Sequence, residues 1–186
     1  MTEHSNSPLE QRIKNRIRTI RGWPAPGVNF RDVTTLFDDP EVFGEAVKTL
    51  AETAIEHGIN RIAAIDARGF ILGAALAYKT ELPLTLVRKA GKLPPPCISE
   101  SYELEYGKGA IEIRADACSA KDTILLVDDL IATGGTLRAA AKLLNRLGAR
   151  IALVGAIIDL PELGGSRLLL EDGIEVLALC RFSETE

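Results

Sequence analysis

The stretch ILLVDDLIATGGT, residues 124–136, is the segment around which the rest of this chain is organised. It begins with four apolar residues, and so short an apolar run before polar residues is typical of a buried strand. Two aspartates, Asp128 and Asp129, follow, and a turn of small residues at 132–136 comes next. A helical pattern then begins, one face of which carries Leu137, Ala140, Ala141, Leu144 and Leu147. The stretch therefore predicts a strand, a glycine turn and a helix in direct succession.

This arrangement is suited to binding a phosphate attached to a polyol. The first amides of a helix have no partner inside it, and the helix dipole adds partial positive charge at that end. Gly134 and Gly135 let the backbone approach a phosphate closely, and Thr133 and Thr136 offer hydroxyl donors. A valine at either glycine is therefore expected to block the phosphate and to leave the fold intact.

The two aspartates limit the kinds of ligand that fit, because carboxylates accept hydrogen bonds from vicinal hydroxyls and attract divalent cations. Ribose 5-phosphate fits both the acids and the turn. The alternative is an ordinary strand-to-helix connection with solvated acids and a threonine N-cap. Successive residues of a regular strand face opposite sides. Both acids can therefore reach a ribose only if the ladder of the strand breaks there, and otherwise one of them acts indirectly.

The segment VDDLIATGGT, residues 127–136, resembles the phosphoribosyl-pyrophosphate (PRPP) motif of the type I phosphoribosyltransferases. The resemblance implies that Asp128 and Asp129 are catalytic and contact the ribose. It implies Mg²⁺ as the cofactor, held mainly by PRPP and water, with no direct protein ligand. The residues that it assigns to the phosphate and ribose are, besides the two acids, Ala132, Thr133, Gly134, Gly135 and Thr136.

Two further strand ends carry cations. The apolar run 62–65 is followed by Arg68, in a segment IDARGF that resembles the pyrophosphate-binding loop of the same enzymes. In an α/β sheet, ligands bind in loops at the carboxyl ends of parallel strands. The resemblance implies a cis peptide bond at Asp66–Ala67 and a pyrophosphate contact at Ala67 and Arg68.

The third apolar run, 84–87, ends in Arg88, Lys89 and Lys92, which are three cations in five residues. A bare charge run is usually a solvated surface. This run, however, follows a strand end as Arg68 does, and the segment 87–94 matches the family pattern V-R-K-x-G-K-L-P. All three cations are therefore predicted to contact the pyrophosphate, with Lys89 contributing most.

The N-terminal segment IRTIRGWPAPGVNFRDVT, residues 17–34, resembles the signature of the adenine phosphoribosyltransferases. The resemblance implies that Phe30 and Arg31 contribute to a purine pocket, partly through backbone groups, and that Leu160 packs against the purine. Without the resemblance, Phe30 would be interpreted as a core residue.

Residues 93–121 depart from the strand and helix rhythm. The segments 101–107 and 110–114 alternate polar and apolar residues around glycines, which predicts a β-hairpin. The segment SYELEYGKGAIEI, residues 101–113, resembles the flexible catalytic loop of the adenine phosphoribosyltransferases. The resemblance implies that Glu105 is the catalytic acid and that Tyr106 lies beside the pyrophosphate. The alternative is that Glu103 and Glu105 are exposed strand carboxylates.

Composition limits the remaining possibilities. The chain of 186 residues suits one α/β domain, 1–186, with a mostly parallel sheet of about five strands flanked by helices, plus a small hood and a flexible β-hairpin loop. Residues 1–8 are predicted to be a loose tail, and an amphipathic helix is predicted from Leu9 to Ile20. A net charge of −4 gives no attraction to nucleic acid, and no apolar run is long enough to span a membrane. The polar N-terminus and three scattered cysteines predict a reduced, cytoplasmic protein.

Together the resemblances run from about Ile17 to Arg181 and imply a purine salvage enzyme. It would transfer the phosphoribosyl group of PRPP to adenine, giving AMP and pyrophosphate, and it would be a homodimer. Two alternatives remain open at this point. One is a different base, such as hypoxanthine, xanthine or a pyrimidine. The other is a regulator that senses PRPP and binds nucleic acid, for which we find neither a helix-turn-helix nor a basic stripe in the sequence.

Overall fold

The computed structural model describes residues 7–103 and 108–183. Its strands are β1 Arg18–Arg21, β2 Asn29–Asp32, β3 Arg61–Ile65, β4 Leu84–Lys89, β5 Cys97–Glu103, β6 Lys108–Arg114, β7 Thr123–Ile131, β8 Arg150–Asp159 and β9 Glu175–Arg181. Its helices are α1 Pro8–Arg16, α2 Pro40–Glu56, α3 Gly69–Thr80, α4 Gly135–Arg146 and α5 Gly165–Glu171, with 3₁₀ turns at Val33–Leu36 and Pro161–Leu163.

The main sheet has seven strands in the order β5-β6-β4-β3-β7-β8-β9. The five neighbouring strands β4, β3, β7, β8 and β9 pair in parallel. Beyond β4, the strands β6 and β5 extend the sheet with antiparallel pairing at one edge. The predicted α/β class, with a mostly parallel sheet flanked by helices, is confirmed. A separate two-stranded sheet, β1 with β2, corresponds to the expected hood.

Helices cover both faces of the parallel strands, which explains why those strands consist of nearly continuous apolar residues. On one face Leu50 of α2 and Leu72 of α3 pack against Leu125 of β7. On the other face Leu144 of α4 packs in a cluster with Leu126 of the same strand. In the described part of the chain, no helix is both long enough and apolar enough to cross a membrane.

The predicted hairpin is more closely integrated with the sheet than the sequence indicates. Its second strand, β6, pairs with β4 through Arg88↔Glu112 and Lys89↔Ile111. Ile111 and Ile113 are buried in the core. The predicted turn at 107–109 is also displaced, because Lys108 and Gly109 already pair with β5. The stem of the hairpin thus belongs to the sheet, whereas residues 104–107 lie outside the described part of the chain.

The N-terminal prediction needs two corrections. The helix α1 begins at Pro8, inside the predicted tail, because Pro suits a first helical position and the Ser7 hydroxyl accepts a hydrogen bond from the amide of Glu10. It ends at Arg16 rather than continuing to Ile20, because the chain turns there to pair Ile20 with Phe30 across β1 and β2.

Candidate active site

Four of the predicted loops meet at one edge of the sheet. The strands β4, β3, β7 and β8 are neighbours and run in parallel, so their carboxyl ends lie side by side. The cation loop at 88–92, the loop at 66–68, the glycine turn at 132–136 and Leu160 follow these strands in that order. The sequence predicted each loop separately, and the sheet order brings them together.

The glycine turn leads directly into α4. Gly134 is the N-cap residue with φ of +79°, and Gly135 is the first helical residue. The turn is held from behind by a second glycine loop, because the amide of Gly165 donates to the Ala132 carbonyl at 3.0 Å. A Cβ atom added at Gly134 would lie 2.9 Å from the Cα atom of Gly165. The free amides of the first turn of α4 are thereby fixed toward the sheet edge.

This packing changes the expectation for a side chain at Gly134, which cannot leave the fold undisturbed. We expect Gly134→Ala to destabilise the protein and to raise the PRPP KM. The control Gly173→Ala has nearly the same φ, +78°, but open space around the added Cβ. Both variants incur about 1–2 kcal/mol for the left-handed backbone, and only Gly134→Ala adds a clash of ~1–3 kcal/mol. Urea unfolding measures the difference, and equal losses in both variants would contradict the packing at Gly165.

The two aspartates both reach the loop that follows β3. Asp129 is 5% exposed, and its Oδ2 lies 2.6 Å from Nε of Arg68. The Oδ1 atom of Asp128 accepts the amide hydrogen of Asp129 at 2.9 Å. The same oxygen would lie 2.9 Å from a Cβ atom added at Gly69. Residues 68 and 69 therefore contact one acid each.

The alternation of faces along β7 changes phase at these acids. Leu125 and Val127 belong to the core cluster of α2 and α3, and Leu130 packs against that same cluster, although an even number should face the other way. Ile131 belongs to the opposite cluster. The pairing of β7 with β8 nevertheless stays in step from Asp128↔Ala156 to Leu130↔Ile158. The predicted break of the ladder at the two acids is therefore not found in the pairing of β7 with β8, and what changes there is the face to which the side chains point.

The electrostatics of the two acids differ. Burial raises the pKa of the Asp128 carboxyl well above its ordinary value, the negative charge of Asp129 raises this pKa further, and the charge of Arg68 opposes both effects. Asp129 already has an ion-pair partner in Arg68, whereas Asp128 is held mainly by a backbone amide. An added cation near Asp128 would favour its ionised form. A positive charge beside Asp128 would therefore be stabilised by this carboxylate.

The loop after β3 connects the acids with the hood. Its Asp66–Ala67 peptide bond is cis, as the resemblance implied. Arg68 stands immediately before α3, and its guanidinium carbon lies 5.8 Å from the ring centroid of Phe30 in β2. Arg68 therefore lies between the aspartates and the segment that was predicted to bind the base.

The three predicted cations of the loop at 88–92 are placed differently from one another. The Nε atom of Arg88 lies 3.1 Å from Oδ2 of Asp66, and its Nη1 atom donates to the Lys92 carbonyl at 3.1 Å. Arg88 thus connects the loop at 88–92 with the loop that contains the cis peptide bond. Lys89, the last residue of β4, and Lys92 are exposed and lie at the sheet edge.

A cavity of about 330 Å³ lies between the hood, the segment that follows β8 and the segment that follows β9. Arg31 and Leu160 line it, together with Val28, Asn29, Phe182 and Ser183. Phe30 does not line it, because neighbouring residues of a strand point to opposite sides. The Phe30 ring instead contacts the edge of Trp23, with 4.5 Å between the ring centroids. The structure thus separates Phe30 from the two residues with which it was grouped.

The Arg31 side chain is 3% exposed and contacts the protein itself. It donates to the Ser183 carbonyl at 2.9 Å, and its guanidinium carbon lies 4.3 Å from the centroid of the Phe182 ring. The Arg31 side chain is therefore held by the protein itself, and the use of backbone groups at this position stays a prediction. Phe182 and Ser183 had no sequence signal beyond an aromatic residue after the last strand.

Two predicted residues, Glu105 and Tyr106, lie in the segment 104–107 outside the described part of the chain. Within residues 7–103 and 108–183, no three His, Cys, Asp or Glu side chains are grouped so that they could hold a metal ion. Among these residues, the two carboxylates nearest in sequence to the glycine turn at this edge of the sheet are those of Asp128 and Asp129.

Comparison with known families agrees with this geometry. A model described as the phosphoribosyl transferase domain matches residues 33–165, which include every loop of the site from the cis peptide to Leu160. The class that the fold and the site define is therefore that of the phosphoribosyltransferases.

Individual relatives define the group within this class. The adenine phosphoribosyltransferase of Marinobacter nauticus is 50% identical over 174 residues, covering 94% of this chain and 97% of that protein. The crystal structure of the adenine phosphoribosyltransferase from Thermoanaerobacter pseudethanolicus has a TM-score of 0.88 at 39% identity, covering 92% and 99% of the two chains. The enzyme from Trypanosoma brucei, in complex with AMP, pyrophosphate and ribose-5-phosphate, has a TM-score of 0.88 at 26% identity, covering 95% and 81%. The chain belongs to the adenine phosphoribosyltransferase family and is a transferase.

Proposed function

We propose that this chain transfers the 5-phosphoribosyl group of PRPP to adenine, giving AMP and pyrophosphate, as a purine salvage enzyme. The observation that carries the proposal is the single sheet edge that joins an amide-lined turn, two acids and exposed cations, with a base-sized cavity beside it. These parts correspond to the phosphate, the ribose, the pyrophosphate and the purine of the reactants.

In this proposal the turn 132–136 binds the 5′-phosphate through the free amides of α4 and the hydroxyls of Thr133 and Thr136. Asp128 and Asp129 accept hydrogen bonds from the ribose hydroxyls. The pyrophosphate lies between the two cationic loops, where Lys89, Lys92 and the backbone at Ala67 contact it, with Tyr106 from the hairpin. Arg68 and Arg88 add charge beside it, although both also bind aspartates of the site.

The bond changes follow from these positions. A purine ring nitrogen forms a bond to the anomeric carbon, and the bond from that carbon to pyrophosphate oxygen breaks, with the electron pair leaving on the pyrophosphate. Positive charge develops on the ribose ring in between, as in glycoside cleavage. Asp128 and Asp129 stabilise this charge, and the cations stabilise the departing pyrophosphate. Glu105 takes up the proton that the purine nitrogen loses as the new bond forms.

Mg²⁺ completes the proposal as the cofactor. When bound, the ion neutralises charge on the pyrophosphate. The protein provides two carboxylates at the ribose position and no larger cluster among its described residues, so we assign most of the ligands to PRPP and water. Isothermal titration of PRPP with and without a chelator tests the assignment, and equal affinity in both titrations would contradict it.

Adenine is expected to be preferred over hypoxanthine. In this proposal the base lies in the cavity that Arg31 and Leu160 line, and backbone acceptors near Phe30 and Arg31 take the hydrogens of its 6-amino group. A 6-oxo group would leave those acceptors unpaired and buried, so we expect kcat/KM to be at least ~100-fold lower for hypoxanthine. Pyrophosphate release measured with adenine, hypoxanthine, xanthine, guanine and uracil tests this. Equal use of hypoxanthine would overturn the assignment of the substrate.

We further propose a cytoplasmic homodimer. Cys97, Cys118 and Cys180 are all free thiols, a state that persists in reducing compartments. Ile71 and Tyr78, seven residues apart on one face of α3, are 45% and 89% exposed, which suits burial against a second copy. Sedimentation velocity distinguishes a dimer from a monomer.

A further inference from the structure

Glu112 is a buried carboxylate that the sequence did not single out. It lies on β6 between Ile111 and Ile113, whose side chains enter the core on one face of the sheet. Glu112 faces the other side, where a solvated residue would be expected. It is nevertheless only 8% exposed, because the segment that connects β4 with β5 crosses over it.

The carboxylate binds the backbone of that segment. Its Oε1 atom accepts the amide hydrogens of Lys92 and Leu93, both at 2.8 Å. The pKa of Glu112 is lowered, chiefly by the amide of Gly91, with the amides of Leu93 and Lys92 and the charge of Arg88 acting in the same direction. Gly91 has φ of +79°, and successive amides in such a turn form a concave anion site. Here the anion is a side chain of the protein.

The same segment is tied to the cis-peptide loop from its other side. Arg88 pairs with Glu112 in the β4–β6 register and donates to the Lys92 carbonyl, while its Nε reaches Asp66. The backbone of Lys92 is thus bound at its amide by Glu112 and at its carbonyl by Arg88. Neither the hydrogen bond from Glu112 nor that from Arg88 involves the ammonium groups of Lys89 and Lys92.

We propose that Glu112 is a positioning residue for pyrophosphate: by holding the amides of residues 91–93 it fixes the loop from which Lys89 and Lys92 reach the leaving group. The inference rests on the proposed function, since it assigns these lysines to pyrophosphate. Glu112 itself does not touch the substrate. Its negative charge also offsets that of Arg88, so that the loop stays folded when no pyrophosphate is bound.

Glu112→Gln tests this, because the amide side chain keeps the shape and one acceptor oxygen but loses the charge. We expect the affinity for inorganic pyrophosphate with Mg²⁺, measured by calorimetry, to fall roughly 10- to 100-fold. The affinity for AMP, which uses the glycine turn and the base cavity, should stay unchanged, and so should the KM for adenine. A purely structural carboxylate would lower both affinities together or neither.

Glu100→Gln is the matched control. Glu100 lies on the adjacent strand β5 of the same hairpin, but it pairs with Lys142 and Arg146 of α4 instead of the cation loop. It should leave the pyrophosphate affinity as it is. Unchanged pyrophosphate affinity in Glu112→Gln, or an equal loss in Glu100→Gln, would overturn the inference while leaving the proposed function in place.

A measurement on the unmodified protein covers the case in which Glu112→Gln does not fold. The amide hydrogens of Lys92 and Leu93 should exchange slowly in the ligand-free protein, because the buried carboxylate binds them. Exchange as fast as in an open loop would overturn the inference. If the unmodified protein binds neither pyrophosphate nor AMP, the proposed function fails, and the inference fails with it.

Discussion

Glu105→Gln is expected to lower kcat by roughly 10²- to 10⁴-fold, the range in which general acid–base groups contribute. The resemblance of residues 101–113 assigns this glutamate to the proton of the purine nitrogen. Glutamine keeps the shape and the hydrogen bonding of the side chain but cannot take up the proton. The affinity for PRPP should therefore hold. Steady-state kinetics with adenine and calorimetry with PRPP measure the two quantities separately.

The control for this prediction is Glu103→Gln. Glu103 ends β5, two residues before Glu105, and pairs with Lys108 across the hairpin. The Glu103→Gln variant removes the same charge from the same segment, and we expect its kcat to be nearly unchanged. An equal loss in both variants would show that the charge of the hairpin matters rather than a proton transfer at one position, and an active Glu105→Gln would show that Glu105 has no catalytic role.

Replacing both Asp128 and Asp129 by Asn is expected to lower kcat by at least ~100-fold, on the scale of a lost preorganised electrostatic contact. In the proposed mechanism the pair provides the negative charge beside the cationic ribose. The structure adds a distinction between the single variants. Asp129→Asn also releases Arg68 from its ion pair, so the PRPP KM should change with kcat, whereas Asp128→Asn should act mainly on kcat.

The stability of the Asp128→Asn variant provides a second readout. The pKa of Asp128 is raised in the folded protein, so ionised Asp128 disfavours folding, and this cost appears as the pH rises above the carboxyl's unfolded pKa. Near neutral pH the variant should therefore unfold at the same or a higher temperature than the unmodified protein while losing activity. Asp116→Asn is the control, because the Asp116 side chain is 79% exposed, and it should change neither quantity.

The double variant has its own contradicting outcome. If only its KM changes, the acids hold the ribose without stabilising the transition state.

The sequence predicted those parts of the site that are written in contiguous residues. A strand, turn and helix unit carries its own evidence, because burial periodicity and turn chemistry are local properties. The glycine turn, the five parallel strands and the cation runs were therefore predictable from the residues themselves. The cis peptide after β3 and the base segment came from resemblance, since no local pattern distinguishes Phe30 from a core residue.

The tertiary structure decided how these parts meet, because sequence spacing does not encode which strands are neighbours. The hairpin resembles a separate element, yet β6 pairs with β4 and so places Glu112 beneath the cation loop, 20 residues away from Lys92. A glutamate between two isoleucines indicates a solvated face unless another segment crosses over it. Arg31 is likewise bound to Ser183, 152 residues away.

The aspartate pair shows the same division. From the sequence alone, either the ladder of the strand had to break at Asp128 and Asp129 or one of the two acids had to act indirectly. Only the packing of Val127 and Leu130 into the same cluster shows that the alternation of faces breaks there. By itself the sequence determined the chemical groups and their local conformation. Which partners those groups meet when they are buried depends on the order of the strands. The reason is that a charge is buried only if another segment of the fold covers it, and the neighbours of a strand are not written in its own sequence.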